Sequence, residues 1–258
     1  MLERLPDLAV PRAVVFDMDG LLLNTEALAR RALLEAGRAH GLRLTDRFCE
    51  LLIGVPADQC RQLLFEHHGH DAPADALFDA ASRLLTDQID HGLMALKPGV
   101  IELLDWLDAA GLPRAVATSS ARAKAMHHLE RAGIAGRFGA ILCRDDVARG
   151  KPHPDLYLAA AEALAIAPAL CLALEDSYNG VRAAHAAGMP VVMVPDLLPP
   201  TDEMFRLSHA VLPSLHRVTA WLAGQAPAGR AMSAHADTLP GHRNQAGTDR
   251  PHPGADHA

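Results

Sequence analysis

Short apolar runs set the frame for this chain. Residues 13–16, 115–117, 140–142, 170–174 and 191–194 are too short for helices and apolar throughout, as strands covered on both faces are. From 93 to 222 the runs recur at roughly 25–30-residue intervals with alanine-rich helical patterns between them. The pattern over 121–132, for example, meets a C-terminal stop at Gly133. Strand, helix and strand at that spacing predict parallel crossover units. The expected fold is therefore an α/β core with an open, doubly wound, Rossmann-like parallel sheet.

One gap breaks the rhythm. Segments 26–40, 45–52, 57–68 and 74–91 carry apolar residues at i, i+3 and i+4, such as Leu28, Leu33 and Leu34 or Leu77, Leu84, Leu85 and Ile89. None reads as a strand. They lengthen the first crossover by about 70 residues, so an α-helical cap domain over 26–93 is expected, inserted into a core formed by 11–25 and 94–222. A helical insert that can close over a sheet edge is a natural lid. Residues 223–258 carry no period and are expected to be a disordered tail; its histidines, at 235, 242, 252 and 257, are too widely spaced for a metal site.

Composition removes several classes. Half of the 258 residues are apolar and 21% are charged, which excludes a wholly disordered chain. The net charge of −7 lacks the basic footprint of a nucleic-acid binder. No apolar stretch approaches the length of a membrane span, and the N-terminus does not read as a secretory signal. Cys49, Cys60, Cys143 and Cys171 form no C-x-x-C clip and read as free thiols, which with the absent signal predicts a cytoplasmic protein. A monomer is expected.

Ligands of an open parallel sheet bind beyond the carboxyl ends of its strands, so the residues following each run matter most. After the first comes Asp17-Met18-Asp19-Gly20. Two carboxylates at the end of a buried strand are costly unless employed or neutralised. After the second comes Thr118-Ser119-Ser120 at a helix start, where hydroxyls serve either as a cap or, with free amides, as an anion site. After the third, Lys151 stands between Gly150 and Pro152. It is one of only three lysines among 24 basic residues, and a fixed ammonium there would balance nearby carboxylates and hold a phosphate oxygen. After the fourth comes Glu175-Asp176-Ser177-Tyr178-Asn179-Gly180. With Asp17 and the backbone of Asp19, Glu175 and Asp176 make a hard oxygen cage suited to Mg²⁺ shared with a substrate phosphate.

With Phe16-Asp17-Met18-Asp19-Gly20-Leu21-Leu22, Thr118, Lys151-Pro152 and Glu175-Asp176-Ser177-x-x-Gly180 in this order, the sequence resembles the haloacid dehalogenase superfamily over 12–222. Within it, the chain is similar to the β-phosphoglucomutase-like phosphatases whose helical cap follows the first strand. The resemblance implies Asp17 as nucleophile, forming an aspartyl-phosphate, and Asp19 as general acid and base. It implies Thr118 and Lys151 as phosphate-holding groups, with Ser119 beside them. Asp17, Asp19, Glu175 and Asp176 would form the Mg²⁺ site, Glu175 either as a ligand or behind the ligands. Gly54, in the cap loop 52–56, would meet the substrate. Three positions depart from the pattern: Asn24 where an acid is frequent, and Ala29 and Ala57 where the mutases carry a histidine and an arginine. The expected activity is therefore Mg²⁺-dependent hydrolysis of a small phosphorylated metabolite, a sugar phosphate by resemblance, with a β-phosphoglucomutase-like phosphomutase as the alternative. A dehalogenase would not need Asp19.

Overall fold

The computed structural model describes residues 10–225 apart from Pro56. Six strands lie in one all-parallel sheet: β1 (Ala13–Phe16), β2 (Arg114–Ala117), β3 (Ala140–Leu142), β4 (Cys171–Glu175), β5 (Val191–Met193) and β6 (Ala210–Val211), in the order β3-β2-β1-β4-β5-β6. β1 pairs with β2 through Phe16 and Val116 and with β4 through Phe16 and Leu174. The chain winds outward from β1 to β3, returns across it and winds the other way from β4, so the topological switch lies between β1 and β4.

Side chains alternate strictly along β1. Val14 and Phe16 face a layer of large residues from α5 (Val100–Ala110), α6 (Arg122–Arg131) and α10 (Leu215–Gln225), among them Leu103, Leu107, Leu129, Val218 and Leu222. Ala13 and Val15 face α7 (Asp155–Ala163), α8 (Tyr178–Ala186) and α9 (Asp202–Leu207). That interface is rich in alanine, including Ala115, Ala117, Ala160, Ala173 and Ala184. Small side chains on both surfaces let these helices approach the sheet closely, and α7 and α8 both reach the carboxyl edge of the sheet.

Four helices intervene between β1 and α5: α1 (Thr25–Ala39), α2 (Asp46–Leu51), α3 (Ala57–His68) and α4 (Ala74–Asp90). Leu33, Phe48, Leu64 and Leu77 form one apolar cluster there, and Leu28, Ala32, Leu85 and Ile89 a second between α1 and α4. The chain enters and leaves this layer through paired segments. Leu23 and Leu96 form an antiparallel bridge. The Asn24 amide N–H donates to the Ala95 carbonyl at 3.1 Å, and Ala95 N–H donates to Asn24 Oδ1 at 2.8 Å. Asn24 therefore ties the two crossings together instead of capping α1.

The far end of the chain departs from the sequence reading. The expected tail begins at 223, but α10 continues to Gln225, carried by Val218, Trp221 and Leu222 seated on the sheet. The rest of the expected tail, with its histidines, lies outside the described residues. No described helix is long and apolar enough to cross a membrane.

Candidate active site

The carboxyl edge of the sheet gathers the acids. Asp17 directly follows β1 and its N–H donates to the Leu174 carbonyl of β4 at 3.0 Å, which fixes it at the switch point. Asp176 directly follows β4. Carboxylate oxygens of Asp17, Glu175 and Asp176 lie within 4.8 Å of one another, and all three residues are buried. Gly20 lies over this group with φ +89; a Cβ there would overlap Asp176 Oδ2, so both the backbone angle and the close approach require glycine.

Lys151 enters from the loop before α7. Its Nζ donates to Asp17 Oδ1 at 2.5 Å and to Glu175 Oε1 at 2.6 Å. Glu175 is wholly buried and fully engaged. Its Oε1 also accepts from the Tyr157 hydroxyl at 2.6 Å, and its Oε2 accepts from Asp176 N, Ser177 N and Ser177 Oγ at 3.0–3.2 Å. A Cβ on Gly180 would overlap this carboxylate. Asp176 is the opposite case: its Oδ1 is buried with no hydrogen-bond partner among the described residues. An unpartnered buried carboxylate oxygen beside a second carboxylate fits a bound cation, and an all-oxygen donor set fits Mg²⁺.

Asp19 turns away from this cluster. Its carboxylate accepts from Thr25 Oγ1 at 2.6 Å and Ser120 Oγ at 2.8 Å, with Thr118 Oγ1 at 3.4 Å. Its side chain thus lies outside the acidic group, and only its backbone is left to join a cation there. Thr118 is fully buried at the end of β2 and accepts from Ser120 N at 3.0 Å, whereas Ser119 is exposed beside it. Gly54 lies over the loop that follows Asp176, its carbonyl accepting from Asn179 Nδ2 at 2.9 Å.

The two aspartates of the first motif are driven apart electrostatically. Burial, opposed by Lys151 and reinforced by Glu175, pushes the Asp17 carboxyl well above the usual range. Burial and the charges of Asp17 and Glu175 do the same to Asp176. For Asp19 burial acts upward too, but the Lys124 charge and the hydroxyls of Thr25 and Ser120 outweigh it and hold the carboxyl low. Burial would depress Lys151, but Asp17 and Glu175 hold its ammonium firmly protonated. On α1, Glu26 is pushed up to about 7 by burial and by Asp19. An excess of buried acid over base at one point is what a divalent cation relieves.

The structure brings together Asp17, Lys151, Glu175 and Asp176, and sets Asp19 with Thr118 one step away. The sequence reading missed Thr25, Ser120 and Tyr157. Ser120 stands in the hydroxyl run 118–120, and Thr25 follows Asn24. Tyr157 carries no signal beyond helical position.

The family model for haloacid dehalogenase-like hydrolases matches residues 11–188. Protein CbbY of Rhodobacter capsulatus is 36% identical over 193 residues, covering 71% of this chain and 85% of its own. Hexitol phosphatase B of Escherichia coli O157:H7 is 32% identical, covering 81% of this chain and 94% of its own. The solved structure of a HAD family hydrolase from Deinococcus radiodurans R1, with bound phosphate and sodium, superposes with a TM-score of 0.70 at 31% identity over 84% of this chain and 97% of that one.

Proposed function

The chain belongs to the haloacid dehalogenase-like hydrolases and is a phosphoric monoester hydrolase, and on that premise we propose that it hydrolyses a small sugar phosphate through an aspartyl-phosphate on Asp17, with Mg²⁺ as cofactor. The observation that carries the reading is the meeting of Asp17, Lys151 and the unpartnered Oδ1 of Asp176 at the switch point of the sheet. Relatives named as phosphatases of phosphorylated carbohydrates and of hexitols support the substrate class.

In the first step an oxygen of Asp17 attacks phosphorus and the bond to the leaving oxygen breaks. Lys151 and Thr118, with Ser119 at the same strand end, hold the non-bridging oxygens. Asp19 protonates the leaving oxygen. Its carboxyl is held low, so the monoanion of the substrate phosphate, with a second pKa of about 6, passes it the first-step proton, and the proton it gains from water in the second step leaves to solvent. In the second step Asp19 takes a proton from water as that water attacks phosphorus, inorganic phosphate leaves and Asp17 is restored. Mg²⁺, held by Asp17, Asp176 and the Asp19 carbonyl, would neutralise the charge between carboxylate and phosphate. With both oxygens already engaged, Glu175 is assigned to holding Lys151 rather than the cation.

We read the helical layer of 26–93 as the cap that meets the leaving group through its 52–56 loop, on a core of 11–25 and 94–222. The protein is read as a cytoplasmic monomer. Ala29 packs against the α1–α4 cluster and offers no titratable group, which favours hydrolysis over phosphoryl return.

The test is phosphate release from hexose and deoxyhexose phosphates, phosphogluconate, phosphoglycolate, a nucleoside monophosphate and β-glucose 1-phosphate, with Mg²⁺ or chelator. Release that needs Mg²⁺ and falls on the order of a thousandfold or more in Asp17→Asn supports the reading. Isomerisation of β-glucose 1-phosphate without release, primed by a bisphosphate, overturns it in favour of a mutase.

A further inference from the structure

The loop leaving β4 does more than carry Asp176, because its next three side chains reach in three directions. Ser177 Oγ accepts from Gly180 N at 3.2 Å, capping α8, and donates to Glu175. The Tyr178 hydroxyl donates to the Pro199 carbonyl at 2.6 Å. Asn179 Nδ2 crosses to the helical layer and donates to the Gly54 carbonyl at 2.9 Å. Gly54 faces Ser177 at ordinary contact distance, 3.6 Å from the position of an added Cβ to the Ser177 Cβ.

The orientation of the Asn179 amide is determined by its other partner. Arg182 Nη1 lies 3.1 Å from Asn179 Oδ1, and a guanidinium can only donate. Arg182 is itself held by Glu203 on α9, through Nε at 2.8 Å and Nη2 at 2.6 Å. Flipping the amide would set donor against donor at Arg182 and acceptor against acceptor at Gly54. The sheet-bearing part therefore presents one fixed N–H donor to the 52–55 loop, two residues beyond the Asp176–Ser177 peptide.

We propose that Asn179 is a positioning residue: it fixes the 52–55 loop over the phosphate site and thereby sets the discrimination between leaving groups. The inference rests on the phosphatase reading above. A phosphate ester with a bulky leaving group meets this loop, whereas a small acyl phosphate reacts with the sheet edge alone. A loop position used by the first and not by the second appears as a difference between the two rates when the bond that fixes it is lost.

Asn179→Asp breaks the contact, with one negative charge added. The substitution is isosteric and keeps an oxygen for Arg182, but it replaces the donor to Gly54 with a second acceptor. We expect kcat/KM on the best ester of the panel to fall about tenfold, with acetyl phosphate turnover changed less than about twofold. Amide hydrogen exchange, followed in the full chain with Mg²⁺ and inorganic phosphate, is expected to quicken about tenfold in the 50–55 segment and to stay unchanged in the β-strands. Unchanged exchange in 50–55 overturns the positioning role. Faster exchange with equal losses on the ester and on acetyl phosphate overturns the role in discrimination. If the unaltered protein hydrolyses no ester, the phosphatase reading has failed separately, and the exchange measurement still decides whether Asn179 fixes the loop.

Discussion

Lys151 lies between two carboxylates, and its sharing divides the acids of the edge by task. Glu175 accepts five hydrogen bonds from Lys151, Tyr157 and its own loop, so its charge is spent on orientation. Asp176 keeps an oxygen with no partner among the described residues. We predict that Asp176→Asn weakens Mg²⁺ binding, read by isothermal titration, at least about tenfold more than Glu175→Gln does. Glu175→Gln should instead weaken inorganic phosphate, because Lys151 loses half of what holds it. The reverse order would make Glu175 the ligand. At this scale the sequence was legible wherever a residue directly follows a strand: Asp17, Thr118 and Asp176 stand at neighbouring strand ends because β2, β1 and β4 lie side by side. Thr25, Ser120 and Tyr157 were not legible. Tyr157 is wholly buried on α7 and reads in sequence as core, and its reach to Glu175 depends on how closely the alanine-rich face lets α7 approach.

Among the elements, the paired crossings at 22–24 and 95–97 carry the helical layer. Lys97 N–H donates to the Leu22 carbonyl at 2.9 Å, and its ammonium pairs with Asp196 at 2.5 Å beyond β5. Asn24, a departure from the acid frequent in the family, does here what a carboxylate oxygen would do, accepting from Ala95 N–H. We therefore predict that Asn24→Asp leaves stability within a few tenths of a kcal/mol while Asn24→Ala costs about 1 kcal/mol, measured by urea unfolding. Equal losses in both would show that the Ala95 contact contributes nothing. The four helices of the insert were legible because apolar periodicity persists over whole turns, as in Leu28, Ala32, Leu85 and Ile89. β6 and α9 were not: a two-residue edge strand cannot show alternation, and α9 buries Met204 alone, which leaves no apolar stripe. The end of α10 was misjudged because Ala223 and Gly224 look like linker while Trp221 and Leu222 still anchor the turn.

For the whole molecule, the excess of buried acid couples folding to protons and cation. Burial and neighbouring acids raise the pKa values of Asp17 and Asp176. Their contribution to stability is present at low pH and is lost as pH rises through those raised values. Mg²⁺ at the proposed site would bind the ionised forms and displace their protons, so its stabilisation would grow with pH. We predict that saturating Mg²⁺ raises the thermal midpoint more at pH 8 than at pH 6, and that chelator abolishes the difference. A shift that is flat with pH would place the cation elsewhere. A further consequence follows from the Leu23–Leu96 bridge. Because the two ends of the excursion touch, the four helices form the loop of a long hairpin whose stem is already closed. The entropy of such a loop grows only with the logarithm of its length, about 0.6 kcal/mol per doubling. Chain closure thus sets little limit on the length of what stands between 26 and 95, and on the reading of this layer as the cap, substrate choice can change there while Thr25 and the strand ends keep their places.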